Sequence, residues 1–114
     1  MVVAGPTEEQ VDRLFHALAD PTRRDILRRC TTDQSSVTRL ARTYPMSFAA
    51  VQKHVSVLER AGLISKQRRG REQLVRTDAE AVGRARHVLD QLEATWRGRI
   101  ERMSDVLEEE SAPG

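Results

Sequence analysis

The stretch from Ser47 to Thr77 constrains the fold of this chain more than any other, because a helix pattern, a stop and a hairpin pattern follow one another there. Ser47 is suited to capping a helix, and Gly62 can end that helix in the left-handed conformation that other residues resist. Apolar residues recur between them at helical spacing: Val51, Val55 and Leu58. A helix with one buried face is therefore predicted from Ser47 to Ala61.

The segment after this helix has the pattern of a β-hairpin with a basic tip. Two strands, Leu63–Gln67 and Glu72–Thr77, are predicted on either side of a turn at Arg69-Gly70-Arg71. From Gln52 to Arg76 seven basic residues stand against two acidic ones, a net charge of +5, whereas the whole chain is formally only +2. The segment Ser104–Glu110 carries acidic charges alone. Such polarised charge is typical of a polyanion-binding protein, the alternative being a hairpin whose basic residues only keep it soluble.

The exposed face predicted for the Ser47–Ala61 helix carries side chains that suit a DNA major groove. Gln52 can pair bidentately with adenine, although an exposed glutamine on a helix needs no such role. Lys53 and Ser56 lie beside it and are expected to contact phosphates. Phe48 in the first turn either touches thymine methyl groups or packs under the preceding helix.

Three other side chains allow both a functional and a structural interpretation. His54 is expected to be a partly buried imidazole that is structural or contacts a phosphate. Cys30 is either a redox switch or an inert, half-buried thiol, because the end of a helix raises the thiol pKa while Arg28 and Arg29 lower it. Trp96 is better explained as part of a dimer core than as part of a ligand site.

Length and composition indicate one small domain. The 114 residues suffice for a single core, and no apolar run is long enough to cross a bilayer. Residues 1–7 lack the pattern of a secretion signal, so a cytoplasmic protein without membrane contact is predicted. Two Phe, one Tyr and one Trp are too few for base-stacking platforms, which leaves duplex DNA as the nucleic-acid partner. No enzymatic activity is predicted, because the sequence has no glycine-rich phosphate loop, H-E-x-x-H or nucleophile elbow.

Three helices are predicted before Ser47. The segment Thr7–Gln10 resembles a capping box for a first helix of about 12 residues. Asp20-Pro21 ends that helix and begins the second, since proline is favourable at the first helical position. Ser36 is expected to cap a short third helix, which Tyr44-Pro45-Met46 ends. The third and fourth helices then form a helix-turn-helix.

One long helix is predicted from about residue 79 to 110, entered through a loose first turn because Gly83 is unfavourable in a helix interior. Its apolar residues form a continuous seam with steps of four, three, four, four, three and four: Ala85, Leu89, Leu92, Trp96, Ile100, Met103 and Leu107. Their mean spacing predicts a nearly straight helix. A helix about 40 Å long cannot bury this seam against so small a body, so it needs a partner helix, most simply its own copy, and the first helix of either chain. Residues 1–7 and 111–114 are expected to be a flexible arm and tail.

Three segments resemble the ArsR/SmtB family of bacterial transcriptional repressors: Phe15–Cys30, Ser36–Ile64 and Arg68–Glu72. The resemblance extends from about Val11 to Glu109. It implies a mainly α winged helix-turn-helix with a small β-hairpin, in the order α-α-α-α-β-β-α, that dimerises through its first and last helices. Family members bind imperfect palindromes and leave DNA when they sense an effector, usually a metal ion.

The metal-sensing half departs from that family pattern. Metal-responsive members have paired cysteines on the helix before the recognition helix, or His and carboxylate ligands along the last helix. The segment Ser36–Arg42 has neither thiol nor carboxylate, and the last helix has only His87 with Asp90 and Glu93 nearby. No metal and no cofactor is therefore predicted. A small-molecule effector of unknown chemistry stays open as a further partner.

The predicted function is a sequence-specific regulator that binds double-stranded DNA, a homodimeric repressor on a palindromic operator. The alternative is a protein-interaction module built on a winged-helix dimer without DNA binding. The residues predicted to bind DNA are Ser47, Phe48, Ala49, Gln52, Lys53, His54, Ser56, Arg68, Arg69 and Arg71. The residues predicted to form the dimer are Leu14, Phe15, Leu18, Leu89, Leu92, Trp96, Ile100, Met103 and Leu107.

Overall fold

A computed structural model describes residues 5–111, with no side-chain description for residues 110 and 111. Within this range the chain forms five helices and three strands, in this order: α1 (Glu8–Leu18), α2 (Pro21–Thr32), β1 (Ser35–Ser36), α3 (Val37–Thr43), α4 (Phe48–Arg60), β2 (Ile64–Arg69), β3 (Glu72–Thr77) and α5 (Ala79–Ser111). The predicted order of helices and strands is confirmed, with one strand added. The expected flexible arm and tail lie largely outside the described residues.

The first four helices begin where the sequence predicts them, because a polar side chain caps each one. Thr7 forms the capping box, accepting from the Gln10 amide at 3.1 Å while its own amide donates to the Gln10 side chain at 2.9 Å. The other three caps each accept a hydrogen bond from the backbone amide three residues later: Asp20 from Arg23 at 3.0 Å, Ser36 from Arg39 at 3.1 Å and Ser47 from Ala50 at 3.1 Å. Each such cap contributes about 1 kcal/mol to the stability of its helix.

The sheet has three strands, not the two of the predicted hairpin. β1 pairs antiparallel with β3, so the strand order is β1-β3-β2. A strand of two residues is too short to show alternation, which is why the sequence pattern did not reveal it. β2 and β3 are also antiparallel: Ile64 pairs with Thr77 at one end, and Arg69 pairs with Glu72 at the other. Arg69 therefore belongs to β2, and the loop consists of Gly70 and Arg71 alone. Gly70 has φ of +64°, which favours glycine at this turn.

The hydrophobic core lies between α2, α3, α4 and the sheet. Ile26, Leu40, Leu58 and Val75 are each no more than 1% exposed. Leu14 on α1 also belongs to this core at 3% exposed, so its side chain is already buried within its own chain. This corrects its assignment to the dimer surface, since a side chain that packs inward has little area left for a partner.

The long helix α5 begins regularly at Ala79, without the predicted loose turn at Gly83. The Asp78 carboxylate accepts from the Glu80 amide at 3.0 Å, and the Asp78 amide donates to the Leu63 carbonyl at 2.8 Å. Ala81 is fully buried against the core. These contacts hold the first turn, and they outweigh the cost of about 1 kcal/mol for a glycine inside a helix.

Beyond its first two turns α5 leaves the core, and its apolar seam faces outward. With 33 residues α5 is about 50 Å long, longer than the sequence estimate. Large apolar side chains along it are between 47% and 66% exposed: Leu89, Leu92, Trp96, Ile100, Met103 and Leu107. None of the helices in the described part of the chain is both long and apolar enough to cross a bilayer.

A half-buried carboxylate, that of Asp25, joins α2 to the end of α3. The Tyr44 hydroxyl donates to Asp25 Oδ2 at 2.6 Å, Arg29 Nε donates to the same oxygen at 2.7 Å, and Arg28 pairs with Oδ1. These donors, the tyrosine first, lower the pKa of Asp25 to about 2. Burial, together with the bond to Asp25, raises the pKa of Tyr44 to about 12.

Replacing Tyr44 with phenylalanine is expected to lower the free energy of unfolding by about 1–2 kcal/mol at pH 7. A carboxylate with a depressed pKa stabilises the fold above its unfolded pKa, and that contribution disappears as the pH falls through the folded value. The difference between wild type and Tyr44→Phe should therefore shrink between pH 4 and pH 2, about the values of the ordinary and the lowered pKa of Asp25. Urea unfolding at fixed protein concentration measures the free energy of unfolding of both proteins at each pH. A difference between them that does not depend on pH would contradict the role of the Tyr44–Asp25 bond.

Candidate nucleic-acid interface

The helix α4 is anchored by one face, which leaves the opposite face open. Val51, Val55 and Leu58 are 0%, 1% and 0% exposed, so the buried positions are the ones predicted from helical spacing. Gln52 and Lys53 are exposed, as is Ala49, whereas Ser56 is half-buried. The polar residues predicted to read DNA therefore lie together on the outer side of α4.

The N-terminal turn of α4 presents a capped serine and a partly exposed ring. Ser47 Oγ accepts from the Ala50 amide at 3.1 Å and remains exposed, so its hydroxyl proton is available to a phosphate. Phe48 is 46% exposed. The residue is therefore exposed enough to contact a ligand.

His54 is held in place by a side chain that sequence reasoning missed. Arg23 lies 3.2 Å from His54 Nδ1, and it also donates to the Ala17 and His16 carbonyls, each at 2.8 Å. An arginine only donates, so Nδ1 accepts and the neutral ring carries its proton on Nε2. The nearby Asp20 carboxylate, at 4.0 Å from Nδ1, is the weaker contact. Arg23 thereby joins the end of α1 to α2 and α4, and it holds the half-buried ring of His54 in place.

The wing formed by β2 and β3 projects basic side chains. Arg68, Arg69 and Arg71 are all exposed, and Arg68 Nε makes only a long contact of 3.4 Å to the Gly70 carbonyl. Successive strand residues point to opposite faces, so Arg68 and Arg69 leave the wing on different sides. The tip therefore carries positive charge in more than one direction.

A cleft of about 200 Å³ lies between α4 and the wing, and both elements contribute polar side chains to it. Gln52 and Ser56 line it from α4, and Lys66 and Gln73 line it from the wing. Lys66 Nζ also lies 3.3 Å from Glu59 Oε1, which ties the wing to α4. Sequence reasoning missed Lys66 and Gln73, because their position beside α4 follows from strand register and helix packing, not from local pattern.

Acidic, histidine and cysteine side chains do not cluster among the described residues 5–111 of one chain. No group of three or more His, Cys, Asp or Glu side chains is close enough to hold a metal ion. Cys30 is 2% exposed, and burial raises its thiol pKa to about 11 although Arg29 opposes the shift. The thiol is therefore protonated at neutral pH, and its position fits the inert interpretation better than the redox one.

The architecture and the exposed face of α4 together define a winged helix-turn-helix protein. A family model described as a helix-turn-helix domain matches residues 18–67. The HTH-type transcriptional regulator Rv2034 of Mycobacterium tuberculosis is 31% identical over 104 residues, which cover 91% of this chain and 94% of the relative. Among solved structures, the ArsR family transcriptional regulator RHA00566 matches with a TM-score of 0.75 at 30% identity, covering 82% of this chain and 97% of that one.

The chain belongs to the ArsR family, and it is a DNA-binding transcriptional regulator. The resemblance noted in the sequence is thus confirmed. The homodimeric winged helix-turn-helix DNA-binding domain of Mb0332 from Mycobacterium bovis matches with a TM-score of 0.62 at 24% identity, covering 82% of this chain and 91% of that one. At that identity the likeness is one of fold.

Proposed function

We propose that this regulator is a homodimeric repressor that binds a palindromic operator through two copies of α4 and two wings. The observation that carries this function is the exposed face of α4, where Gln52 and Ser56 share a cleft with Lys66 and Gln73 of the wing. A major groove about 12 Å wide admits a helix and displays a distinct donor and acceptor pattern for each base pair. The wing lies beside α4 and supplies positive charge for the flanking backbone.

The apolar seam of α5 supports the homodimer. Trp96 is 62% exposed and Met103 is 66% exposed, and large apolar side chains continue the patch along the helix. Soluble proteins rarely leave a contiguous apolar patch of this kind open to water unless a partner covers it. The DNA-binding domain of Mb0332 (fragment 1–100), which shares the fold, is homodimeric. Phe15 and Leu18, half-buried on α1, add apolar area from the first helix.

Each side chain assigned to the interface has a chemical role in this complex. Gln52 pairs with a base edge, and Lys53 and Ser47 contact phosphates on either side of it. Phe48 contacts thymine methyl groups through the exposed part of its ring. His54 donates its Nε2 proton to a phosphate while Arg23 fixes the ring.

The remaining assigned residues complete the contact between the protein and the DNA. Ala49 allows the helix to approach the groove closely, and Ser56 contacts phosphate next to Gln52. The exposed arginines of the wing reach the minor groove or its phosphates: Arg68, Arg69 and Arg71.

Two-fold symmetry places the two recognition helices in successive major grooves. The operator half-sites are then about 10 bp apart, or a multiple of that spacing. A dimer seated there represses by covering the DNA that the transcription machinery needs. The protein acts in the cytoplasm, where that DNA lies, and it has no enzymatic activity. A small-molecule effector is the remaining candidate for the signal that releases the protein from DNA.

Replacing Gln52 with alanine is expected to weaken binding to the preferred operator about five- to hundredfold for each half-site and to relax selectivity at one position in each half-site. The reason is that a bidentate amide contact discriminates one base from the others. Fluorescence anisotropy measures the affinity for operators selected from a random duplex pool and for single-base variants of those operators.

Gln91→Ala is the matched control, because Gln91 is an exposed glutamine on α5, away from α4. This variant should bind like wild type. Unchanged affinity and selectivity in Gln52→Ala would remove Gln52 from the interface. A wild-type protein that retains no duplex from the pool would instead favour the protein-interaction module.

A further inference from the structure

A cavity of about 550 Å³ lies where α1, the end of α4 and the start of α5 meet. Three arginines line it, one from each helix: Arg13, Arg60 and Arg84. Leu14 and Ala61 give it an apolar wall, and no acidic side chain of the described residues lines it. Cavities of about 300–1,000 Å³ are the size that holds small ligands. The lining therefore suits a small molecule that carries negative charge.

The three guanidinium groups have few partners of their own. Arg84 forms no hydrogen bond or ion pair with any residue in the range 5–111. Arg60 Nε makes only a long contact of 3.5 Å to the Ser56 carbonyl. Arg13 pairs with Glu9 at 2.5 Å, but both side chains are more than half exposed, and exposed pairs of this kind contribute little to stability. An incoming anion can therefore take up most of the donors at this site.

The end of α4 does not cancel this positive charge. A helix carries about half a negative charge at its C-terminal end, where carbonyl groups lack partners. Here the Gly62 amide donates to the Glu59 carbonyl at 2.9 Å, and the Leu63 amide donates to the Leu58 carbonyl at 3.0 Å. A Cβ placed on Gly62 would lie 3.9 Å from Arg84 Nη2, so a guanidinium also lies beside this helix end. The cavity thus keeps a net positive field.

A second, smaller cavity continues the first along the groove between α1 and α4. Its volume is about 180 Å³, and it is lined by His16 and Val57 together with Arg13 and Arg60. The two shared arginines therefore border both cavities, while Arg84 lines the larger one alone. Cations spread along a groove in this way fit a ligand with more than one acidic group better than a single small ion.

We propose that this groove binds a small molecule with two or more acidic groups, carboxylates or phosphates, and that this polyanion is the effector that releases the regulator from DNA. The planar guanidinium group of arginine matches carboxylate and phosphate oxygens with two parallel hydrogen bonds. The carbon skeleton of the ligand packs on Leu14 and Ala61. The role as effector rests on the repressor function proposed above, whereas the binding itself does not.

The position of the groove connects the ligand to DNA binding. Arg60 belongs to the last turn of α4, whose outer face is the proposed DNA contact. A bound polyanion adds negative charge to each chain beside this helix, which opposes the attraction of DNA phosphates. The homodimer leaves the groove open, because at about 3.6 residues per turn Arg13 lies on the far side of α1 from Phe15 and Leu18.

Calorimetric titration of the full chain without DNA tests the site, with citrate as the carboxylate probe, pyrophosphate as the phosphate probe and ionic strength held constant with sodium chloride. At least one probe should bind once per chain with a Kd below about 1 mM. Acetate, with a single carboxylate, should bind at least about tenfold more weakly than citrate if citrate is the probe that binds. Whichever probe binds identifies the acidic group that the site prefers.

Arg60→Ala and Arg84→Ala should each weaken binding of that probe about five- to fiftyfold, because each removes a charged donor. Arg86→Ala is the matched control, since Arg86 is an exposed arginine of α5 that does not line the cavity. It should bind the probe like wild type. Failure of both probes to bind wild type would overturn the site, and so would equal affinities in all three variants.

The role as effector is tested by fluorescence anisotropy with the selected operator, again at constant ionic strength. A saturating concentration of the bound probe should weaken operator binding of wild type at least about fivefold and leave that of Arg84→Ala nearly unchanged. An equal loss in both proteins would show direct competition for the DNA-binding surface and overturn the role as effector. A wild-type protein that binds the probe but no duplex would overturn the repressor function and leave the anion site standing.

Discussion

Trp96→Asp is expected to convert the protein into a monomer and to lower operator affinity by roughly two to four orders of magnitude. The substitution places a charge at the centre of the α5 seam, where the indole is 62% exposed in one chain and would be covered by a partner. A monomer binds only one half-site, so it loses the effective concentration that the joined second copy provides. Sedimentation equilibrium and fluorescence anisotropy with the selected operator measure the two effects.

Ala94→Asp is the matched control for this prediction. Ala94 is also exposed on α5, two residues away, but it lies on the opposite side of the helix from the seam. The control introduces the same charge without touching the proposed interface, and its cost in helix propensity is larger than that of Trp96→Asp, because alanine is the best helix former. It should remain a dimer and bind like wild type. A Trp96→Asp protein that stays dimeric would show that another surface holds the two copies together.

Local chemistry explains why the sequence predicted most of the helices and strands well. The cap of α4 is local, because Ser47 accepts from the amide of a residue only three positions away. The end of α4 is local too, because Gly62 adopts a φ of +76° that favours glycine. The seam of α5 is equally local, because helical spacing alone places Leu92 and Trp96 on one face. Each of these features depends on fewer than about two turns of chain.

Contacts between distant segments were not available to such reasoning. The bond between Arg23 and His54 joins residues 31 positions apart, and no local pattern marks either of them as a partner. The two residues of β1 form a strand only because β3 lies beside them. Leu14 shows the same limit on an amphipathic helix, since periodicity identifies an apolar face but not which neighbour covers it.

For the candidate interface, the sequence supplied the residues and the structure supplied their arrangement. The exposure of Gln52 follows from the period of the buried positions on α4, so it could be predicted. The cleft that Gln52 shares with Lys66 could not, because it depends on how the wing packs against α4 through Glu59. Tertiary packing is therefore what turns a basic hairpin and a polar helix face into one surface.

Operator binding is expected to weaken by roughly three to five orders of magnitude between 50 and 200 mM salt, if the dimer neutralises about six to ten phosphates. The charges that would release counterions are concentrated from Gln52 to Arg76, where seven basic residues face two acidic ones. Replacing Arg69 and Arg71 together with alanine removes two such charges from each exposed wing tip. The slope of log affinity against log salt should then fall by about four for the dimer, at one unit for each lost phosphate contact.

Arg102→Ala is a control for the loss of positive charge itself. Arg102 is exposed on α5, far along the chain from the wing, and a distant charge is screened beyond about 10 Å at 0.1 M salt. Its removal should leave the salt slope unchanged, because only cations that replace counterions at a phosphate change that slope. Equal slopes for wild type and the wing variant would mean that the wing arginines do not touch the backbone. A nearly flat slope for wild type would argue against duplex DNA as the ligand of this surface altogether.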